Sequence, residues 1–74
     1  MLQCLKPAAQ LFELNTELYP EAFNTWDSLG EAYMKLGKNQ KAVASYQKSL
    51  ELNPDNSNAT EMITRILGQG EVDD

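Results

Sequence analysis

The sequence predicts an all-α fold of about four helices, arranged as antiparallel helix-turn-helix repeats. Three observations lead to this prediction. Apolar residues recur at steps of three and four, proline or glycine interrupts this pattern at three places, and the chain resembles itself after a shift of 34 residues. The alternation of apolar and polar side chains that is typical of strands is missing, and β-branched residues are sparse.

Three turns divide the chain into helical segments. The first is Tyr19-Pro20-Glu21, because proline cannot continue a helix. The second contains Gly37, a residue that takes the left-handed conformation at helix ends. The third is Asn53-Pro54-Asp55-Asn56, where Asn53 is a candidate for the same left-handed conformation and Pro54 disfavours a helical Asn53. The predicted helices are 5–18, 22–36, 39–52 and 56–68, and residues 69–74 form a polar acidic tail.

Each segment carries an apolar stripe with helical spacing. Asn39 is the predicted N-cap of the third helix, and Asn56 or Ser57 that of the fourth, because short polar side chains accept hydrogen bonds from exposed backbone amides. The stripes contain Leu5, Ala8, Ala9, Phe12 and Leu18 in the first segment, Phe23, Trp26, Leu29, Ala32, Tyr33 and Leu36 in the second, Ala42, Val43, Tyr46 and Leu50 in the third, and Ala59, Met62 or Ile63, Ile66 and Leu67 in the fourth.

The chain also contains an internal repeat. A fixed period of this length indicates a repeat protein, in which each unit is one pair of helices. The positions that match after a shift of 34 residues include Ala8 with Ala42, Phe12 with Tyr46, Leu18 with Leu52, Pro20 with Pro54 and Asn24 with Asn58.

The best-defined part of this repeat has a recognisable signature. The stretch Trp26-x-x-Leu29-Gly30-x-x-Tyr33, followed by Ala42-x-x-x-Tyr46 and Pro54, resembles the tetratricopeptide repeat. In this family the small residues let helices approach closely and the rings fill the space between them, so all seven positions are expected to be structural. Ser49 departs from the family, which usually has alanine at that position.

The resemblance implies a domain of residues 1–68, a fragment of an α-solenoid. In it, 5–18 is the second helix of a partial repeat, 22–54 a complete repeat and 56–68 a capping helix. The sequence is also similar to short repeat tails at the C-terminus of larger bacterial enzymes, including some serine hydrolases. A C-terminal fragment of a larger bacterial protein is therefore one expectation.

The resemblance further implies a partner-binding groove, since the first helix of each repeat lines a concave surface in this family. Asp27 and Glu31 are like charges one helical turn apart, which favours a cationic protein or peptide as the partner; a solvated acidic face is the alternative. Acidic groups at these two positions argue against binding of chaperone C-terminal carboxylates. The groove residues are Asn24, Asp27, Glu31, Met34, Lys35, Asn58, Glu61 and Arg65.

Composition argues against other classes of function. The chain has no histidine and one cysteine, Cys4, so the commonest general base and the usual zinc ligands are missing. We expect no catalytic residue, no metal and no cofactor. The net charge of -5 disfavours nucleic acid, and no apolar run approaches the roughly 18 residues of a membrane span. Without a targeting signal, the cytoplasm is the default location.

The first helix presents more apolar surface than one neighbour can cover, at Leu5, Leu11 and Leu14. The chain has about one and a half repeats, whereas about three are usually needed for stability. Either a parent protein covers this surface, or two copies associate through it. The alternative function is therefore a structural or self-associating, dimerising tail of a larger enzyme, with no ligand of its own.

Overall fold

The computed structural model describes residues 5–68, with side chains from Ala9 onward, and this part of the chain forms four helices and no strand. The all-α prediction is confirmed, and each helix begins and ends within one residue of its predicted bounds. The predicted acidic tail 69–74 lies outside the described residues. The helices are α1 Leu5–Leu18, α2 Phe23–Lys35, α3 Asn39–Leu52 and α4 Ser57–Gly68.

Each helix packs against the next one along the chain, and α2 and α3 make the most extensive contact. The connections are only three or four residues long, so consecutive helices run antiparallel. Tyr46 is fully buried where α2, α3 and α4 meet. A Cβ atom on Gly30 would lie 2.9 Å from the Tyr46 ring, so glycine is needed for this close approach. The buried residues around Tyr46 are Ala42, Ala59 and Ile66.

The turn between α2 and α3 depends on Gly37, which has the expected left-handed backbone with φ of 80°. The amide of Lys38 donates to the Tyr33 carbonyl at 2.9 Å, and the amide of Gly37 donates to Met34 at 3.0 Å. The prediction of Asn39 as N-cap is wrong, because helical hydrogen bonding already resumes at Lys38 and Asn39 is the first helical residue.

The turns at Pro20 and Pro54 share one backbone design, and we call residues 19–22 the first proline turn and 53–56 the second. Asn53 is extended, with φ of -142°, so its predicted left-handed conformation is wrong. The following proline explains this, since its ring disfavours a helical residue before it. In both turns two amides bond backwards: Tyr19 to Asn15 (2.8 Å), Ala22 to Tyr19 (3.1 Å), Asn53 to Ser49 (2.9 Å) and Asn56 to Asn53 (3.0 Å).

The departure at Ser49 has a structural reason. Its side chain is fully buried, and its Oγ accepts a hydrogen bond from Nδ2 of the buried Asn56 at 2.8 Å. The Oδ1 atom of Asn56 accepts from the amide of Ala59 at 3.4 Å, so Asn56 is the N-cap of α4. A serine at this position therefore joins α3 to the start of α4, as an alanine could not.

Two signature rings have polar partners as well as packing contacts. The Nε1 atom of the partly buried Trp26 donates to the carbonyl of Pro20 at 3.0 Å and so fastens α2 to the first proline turn. The hydroxyl of Tyr33 donates to the carboxylate of Glu13, which links α2 to α1. Burial and this carboxylate raise the pKa of Tyr33 to about 12. Both contacts agree with the expected structural role of these rings.

Candidate functional site

The predicted groove residues lie on α2 and α4, and the structure brings half of them to one hollow of about 280 Å³. We call this space the α2–α4 hollow. Its floor is provided by the buried Tyr46 of α3, which lies below the space between the two helices. Its lining residues are Glu31, Met34, Lys35, Tyr46, Asn58 and Met62.

A polar contact across the groove holds the two helices together beside this hollow. Nδ2 of Asn58 on α4 donates to Oδ2 of Asp27 on α2 at 3.1 Å. The other carboxylate oxygen, Oδ1 of Asp27, is buried and has no hydrogen-bond partner among the described residues. Buried polar atoms are nearly always hydrogen-bonded, so this oxygen is an exception among the described residues.

The remaining charges of the groove form two ion pairs, each within one helix. Lys35 Nζ lies 3.5 Å from Glu31 Oε2, and Arg65 Nη2 lies 3.2 Å from Glu61 Oε2. The side chains of the first pair are 61% and 63% exposed, so the pair contributes little to stability and is easily replaced by other ions. Neither pair includes Asp27, whose negative charge is therefore the least compensated one in the groove.

The floor of the hollow is formed by a tyrosine ring that lies near two carboxylates. The Tyr46 hydroxyl lies 3.7 Å from Sδ of Met34, a weak acceptor. Burial, then the carboxylates of Asp27 and Glu31, raise the pKa of Tyr46 to about 12, because both disfavour a phenolate at this place.

Three predicted residues lie apart from the hollow. Asn24 is exposed near the beginning of α2, and Glu61 and Arg65 pair with each other on the exposed side of α4. The sequence analysis missed Tyr46 and Met62 as lining residues, because it assigned both to the core. A signal for Met62 was present, since it follows Asn58 by one helical turn and lies on the same stripe of α4.

A second surface of interest is the side of α1 that faces away from α2. Ala9 and Thr16 are buried on the α2 side, whereas Leu11 is 62% and Leu14 48% exposed. Ser45, which occupies the position of Leu11 one repeat later, is only 5% exposed. Within residues 5–68, the outer face of α1 thus has no neighbour like the one that covers the same face of α3. Leu5 lies outside the described side chains.

The described residues hold no group of three or more His, Cys, Asp or Glu side chains that could bind a metal ion. Between residues 5 and 68, no helix is long and apolar enough to cross a membrane.

Comparison with known proteins agrees with the repeat. The sequence model of the Tetratricopeptide repeat family matches residues 25–56. Superkiller complex protein 3 of Mus musculus is 42% identical over 53 residues, which cover 68% of this chain and 3% of the relative. The Protein CTR9 homolog of Arabidopsis thaliana is 36% identical over 68 residues, 92% of this chain and 6% of the relative. No solved structure gives a significant match.

A third relative, Anaphase-promoting complex subunit 3 of Schizosaccharomyces pombe, is 43% identical over 35 residues, 47% of this chain and 5% of the relative. The chain thus spans 6% or less of the length of these relatives. Two of the three names describe a component of a complex, and none denotes an enzyme. None of the three is bacterial, so an origin in a bacterial enzyme stays a prediction.

Proposed function

Because the chain carries a tetratricopeptide repeat over residues 25–56, we propose that it is a protein-protein interaction module that binds a basic peptide or helix of a partner protein in the groove between α2 and α4. The observation that carries this proposal is the α2–α4 hollow beside the carboxylate of Asp27, which makes no ion pair among the described residues. An open groove with a carboxylate that is not paired with a lysine or arginine suits a positively charged partner.

The polar residues of the groove fit an elongated ligand. Asn24 and Asn58 occupy equivalent positions of successive repeats, on α2 and α4, and each amide can both donate to and accept from a peptide backbone. Asp27 and Glu31 supply negative charge on the same side of α2. The names of the relatives support a role in assembly, since two of them denote components of complexes. The cytoplasmic location, and the lack of nucleic-acid and membrane partners, stay predictions from the sequence.

The groove can be tested by charge reversal. A fluorescent peptide of about nine residues with alternating lysine and glycine is titrated with the chain, and an acidic peptide of equal length serves as reference. We expect the basic peptide to bind more tightly, and Asp27→Lys with Glu31→Lys to weaken its binding about tenfold or more. The matched control is Glu17→Lys with Glu21→Lys, which makes the same change in net charge at exposed positions outside the groove.

The control variant is expected to lower the affinity only through the smaller overall charge, by about twofold. Equal affinity of the groove variant and the unmodified chain for the basic peptide would show that the groove assignment is wrong. Equal loss in both variants would show that binding follows net charge alone, which also contradicts the proposal.

Self-association is the second candidate, and the exposure of Leu11 and Leu14 favours it. Exposed leucines on one helix face mark interaction surfaces, and two copies of α1 can cover each other around a twofold axis. In this case the chain is a dimerising or structural tail of a larger protein. We expect Leu11→Ser with Leu14→Ser to convert a dimer to a monomer in sedimentation experiments. A chain that is monomeric with or without these changes contradicts this candidate.

A further inference from the structure

We propose that the α2–α4 hollow is a specificity pocket that takes one arginine or lysine side chain of the bound partner. This inference rests on the proposed function and names the side chain that the groove selects. It makes Met34, Met62 and Glu31 determinants of specificity, in addition to the general negative charge of the groove.

The size of the hollow suits a single long side chain. Its volume of about 280 Å³ lies just below the range of roughly 300–1,000 Å³ that is typical of pockets for whole small molecules. The hollow lies between two helices and opens to solvent on the groove side, where a bound peptide would pass. A side chain can therefore enter it while the peptide backbone stays near Asn58.

The walls suit an aliphatic stem. Met34 and Met62 are both half-buried and lie on opposite helices of the hollow. Their thioether side chains are flexible and polarizable, so they adapt to an inserted side chain. Arginine and lysine bury their methylene groups against such surfaces while the charged end stays among polar groups.

The rim suits a cationic end. The Nδ2 atom of Asn58 is engaged with Asp27, and its Oδ1 atom is an acceptor. Glu31 supplies a carboxylate, and its exposed pair with Lys35 is weak enough for a cation of the partner to replace Lys35. An acidic side chain would be repelled here. An apolar one would leave the carboxylates beside it partly desolvated without a partner.

The charge at the floor agrees with this selection. Tyr46 ends at the floor of the hollow, and the carboxylates of Asp27 and Glu31 together with burial raise its pKa. The buried Oδ1 atom of Asp27 has no donor among the described residues, so no hydrogen bond offsets its charge there. A positive group above Tyr46 therefore gains electrostatic stabilisation from the nearby carboxylates of Asp27 and Glu31.

The pocket can be tested with small probes. Four capped tripeptides are used, with the sequence Gly-X-Gly and with arginine, lysine, norleucine or glutamate as X. The chain carries ¹³C-labelled methionine methyl groups, and nuclear magnetic resonance follows the signals of Met34 and Met62 up to a probe concentration of about 20 mM. We expect saturable shifts of both signals with arginine or lysine. Binding of norleucine should be weaker by about fivefold, and glutamate should cause no shift.

Two matched variants locate the charge that is responsible. Glu31→Gln removes the rim carboxylate and should lower the affinity for the arginine probe about threefold or more, whereas the affinity for the norleucine probe should not change. Glu51→Gln makes the same chemical change on the exposed side of α3, outside the hollow, and should have no effect. Both glutamates form weak exposed ion pairs, so both variants should stay folded, which circular dichroism can check.

The results separate the pocket from the groove. Unmoved Met34 and Met62 signals with the arginine and lysine probes, or norleucine binding as tight as arginine, overturn the pocket. If the longer basic peptide still binds and is sensitive to Asp27→Lys with Glu31→Lys, the proposed function stands without the pocket. If the probes bind in the hollow but the charge reversal does not change the affinity for the longer peptide, the pocket stands and the groove proposal is wrong.

Discussion

The two proline turns have the same backbone and different side-chain contacts. In the first, Trp26 on α2 reaches back and its indole Nε1 bonds to the carbonyl of Pro20. In the second, threonine occupies the position of that tryptophan, at Thr60. There the turn is held by the buried pair of Asn56 and Ser49, and by the Asp55 amide, which donates to Oδ1 of Asn53 at 3.3 Å.

This difference shows which parts of the repeat are general and which are local. Proline and the two backward amide bonds determine the path of the chain in both turns. The contact that stabilises this path is interchangeable, a partly buried indole in one turn and a buried amide-hydroxyl pair in the other. In the second turn this pair takes the place of the indole contact, because α4 has Thr60 at the position where α2 has Trp26.

Alkaline pH should destabilise the folded chain, because Tyr33, which links α2 to α1, and Tyr46, which is buried in the core, both have a raised pKa. The pKa values of Tyr33 and Tyr46 are about 12, against an ordinary value of 10.0, so the folded state holds these protons more tightly than the unfolded state. Their contribution to the free energy of unfolding is therefore complete below pH 10 and is lost as the pH rises from 10 to 12. Urea denaturation at several pH values measures this loss.

Tyr33→Phe and Tyr46→Phe are the controls for that experiment. Each variant removes one titrating hydroxyl, so each should show a smaller loss of stability between pH 10 and 12 than the unmodified chain. A stability that does not fall in this range, or that rises, contradicts the assigned environments of both rings.

Asn56→Ala should have the next largest effect, and it concerns the second turn. The variant loses the cap of α4 and leaves the buried Ser49 hydroxyl without its donor, which costs about 2–3 kcal/mol of unfolding free energy. Denaturation with urea measures this change. Adding Ser49→Ala should recover about 1 kcal/mol, since the apolar alanine needs no partner. Additive effects of the two substitutions would mean that the pair is not coupled.

Trp26→Phe should weaken the first turn by about 1 kcal/mol. The ring and most of its packing remain, but the donor to the Pro20 carbonyl is gone. Hydrogen exchange should become faster at the amides of Ala22 and Thr25, and should not change locally at Asn53 and Asn56 in the second turn. Faster exchange in the second turn to the same degree would show that the two turns are not independent.

Asn53→Ala should have the smallest effect, a few tenths of a kcal/mol. Its bond to the Asp55 amide is long and exposed, and the following proline already favours the extended backbone. Thermal denaturation should therefore shift only slightly. A loss as large as that of Asn56→Ala would show that the exposed turn, rather than the buried pair, holds α3 to α4.

The sequence is sufficient to predict the bounds of the helices, but it does not predict the side-chain contacts that hold the two proline turns. Pro20, Gly37 and Pro54 interrupt helices for local reasons, so the bounds of α1 to α4 could be predicted. The pairing of Ser49 with Asn56 could not be predicted, because it depends on how the turn folds back over α3. Likewise, the apolar stripes predicted that Tyr46 and Met62 are covered, but not that both also border a hollow between α2 and α4.

The helix positions of the proposed groove residues were predictable to a similar degree. A resemblance to the family and the spacing of charges placed Asp27, Glu31 and Asn58 on it, because each belongs to one helix stripe. The hydrogen bond between Asp27 and Asn58 joins residues that are 31 positions apart in the sequence. It depends on how α2 and α4 both pack against α3, which the sequence pattern does not specify. Pairing of Glu61 with Arg65 within α4 follows from their i, i+4 spacing.

Selection of peptides from a random display library tests the central claim, a groove for basic partners on α2 and α4, most directly. The account predicts that peptides enriched on the chain contain arginine or lysine, that Asp27→Lys with Glu31→Lys abolishes the enrichment, and that bound peptide shifts the amide signals of α2 and α4. Enriched peptides without basic residues, or shifts confined to α1, would contradict it.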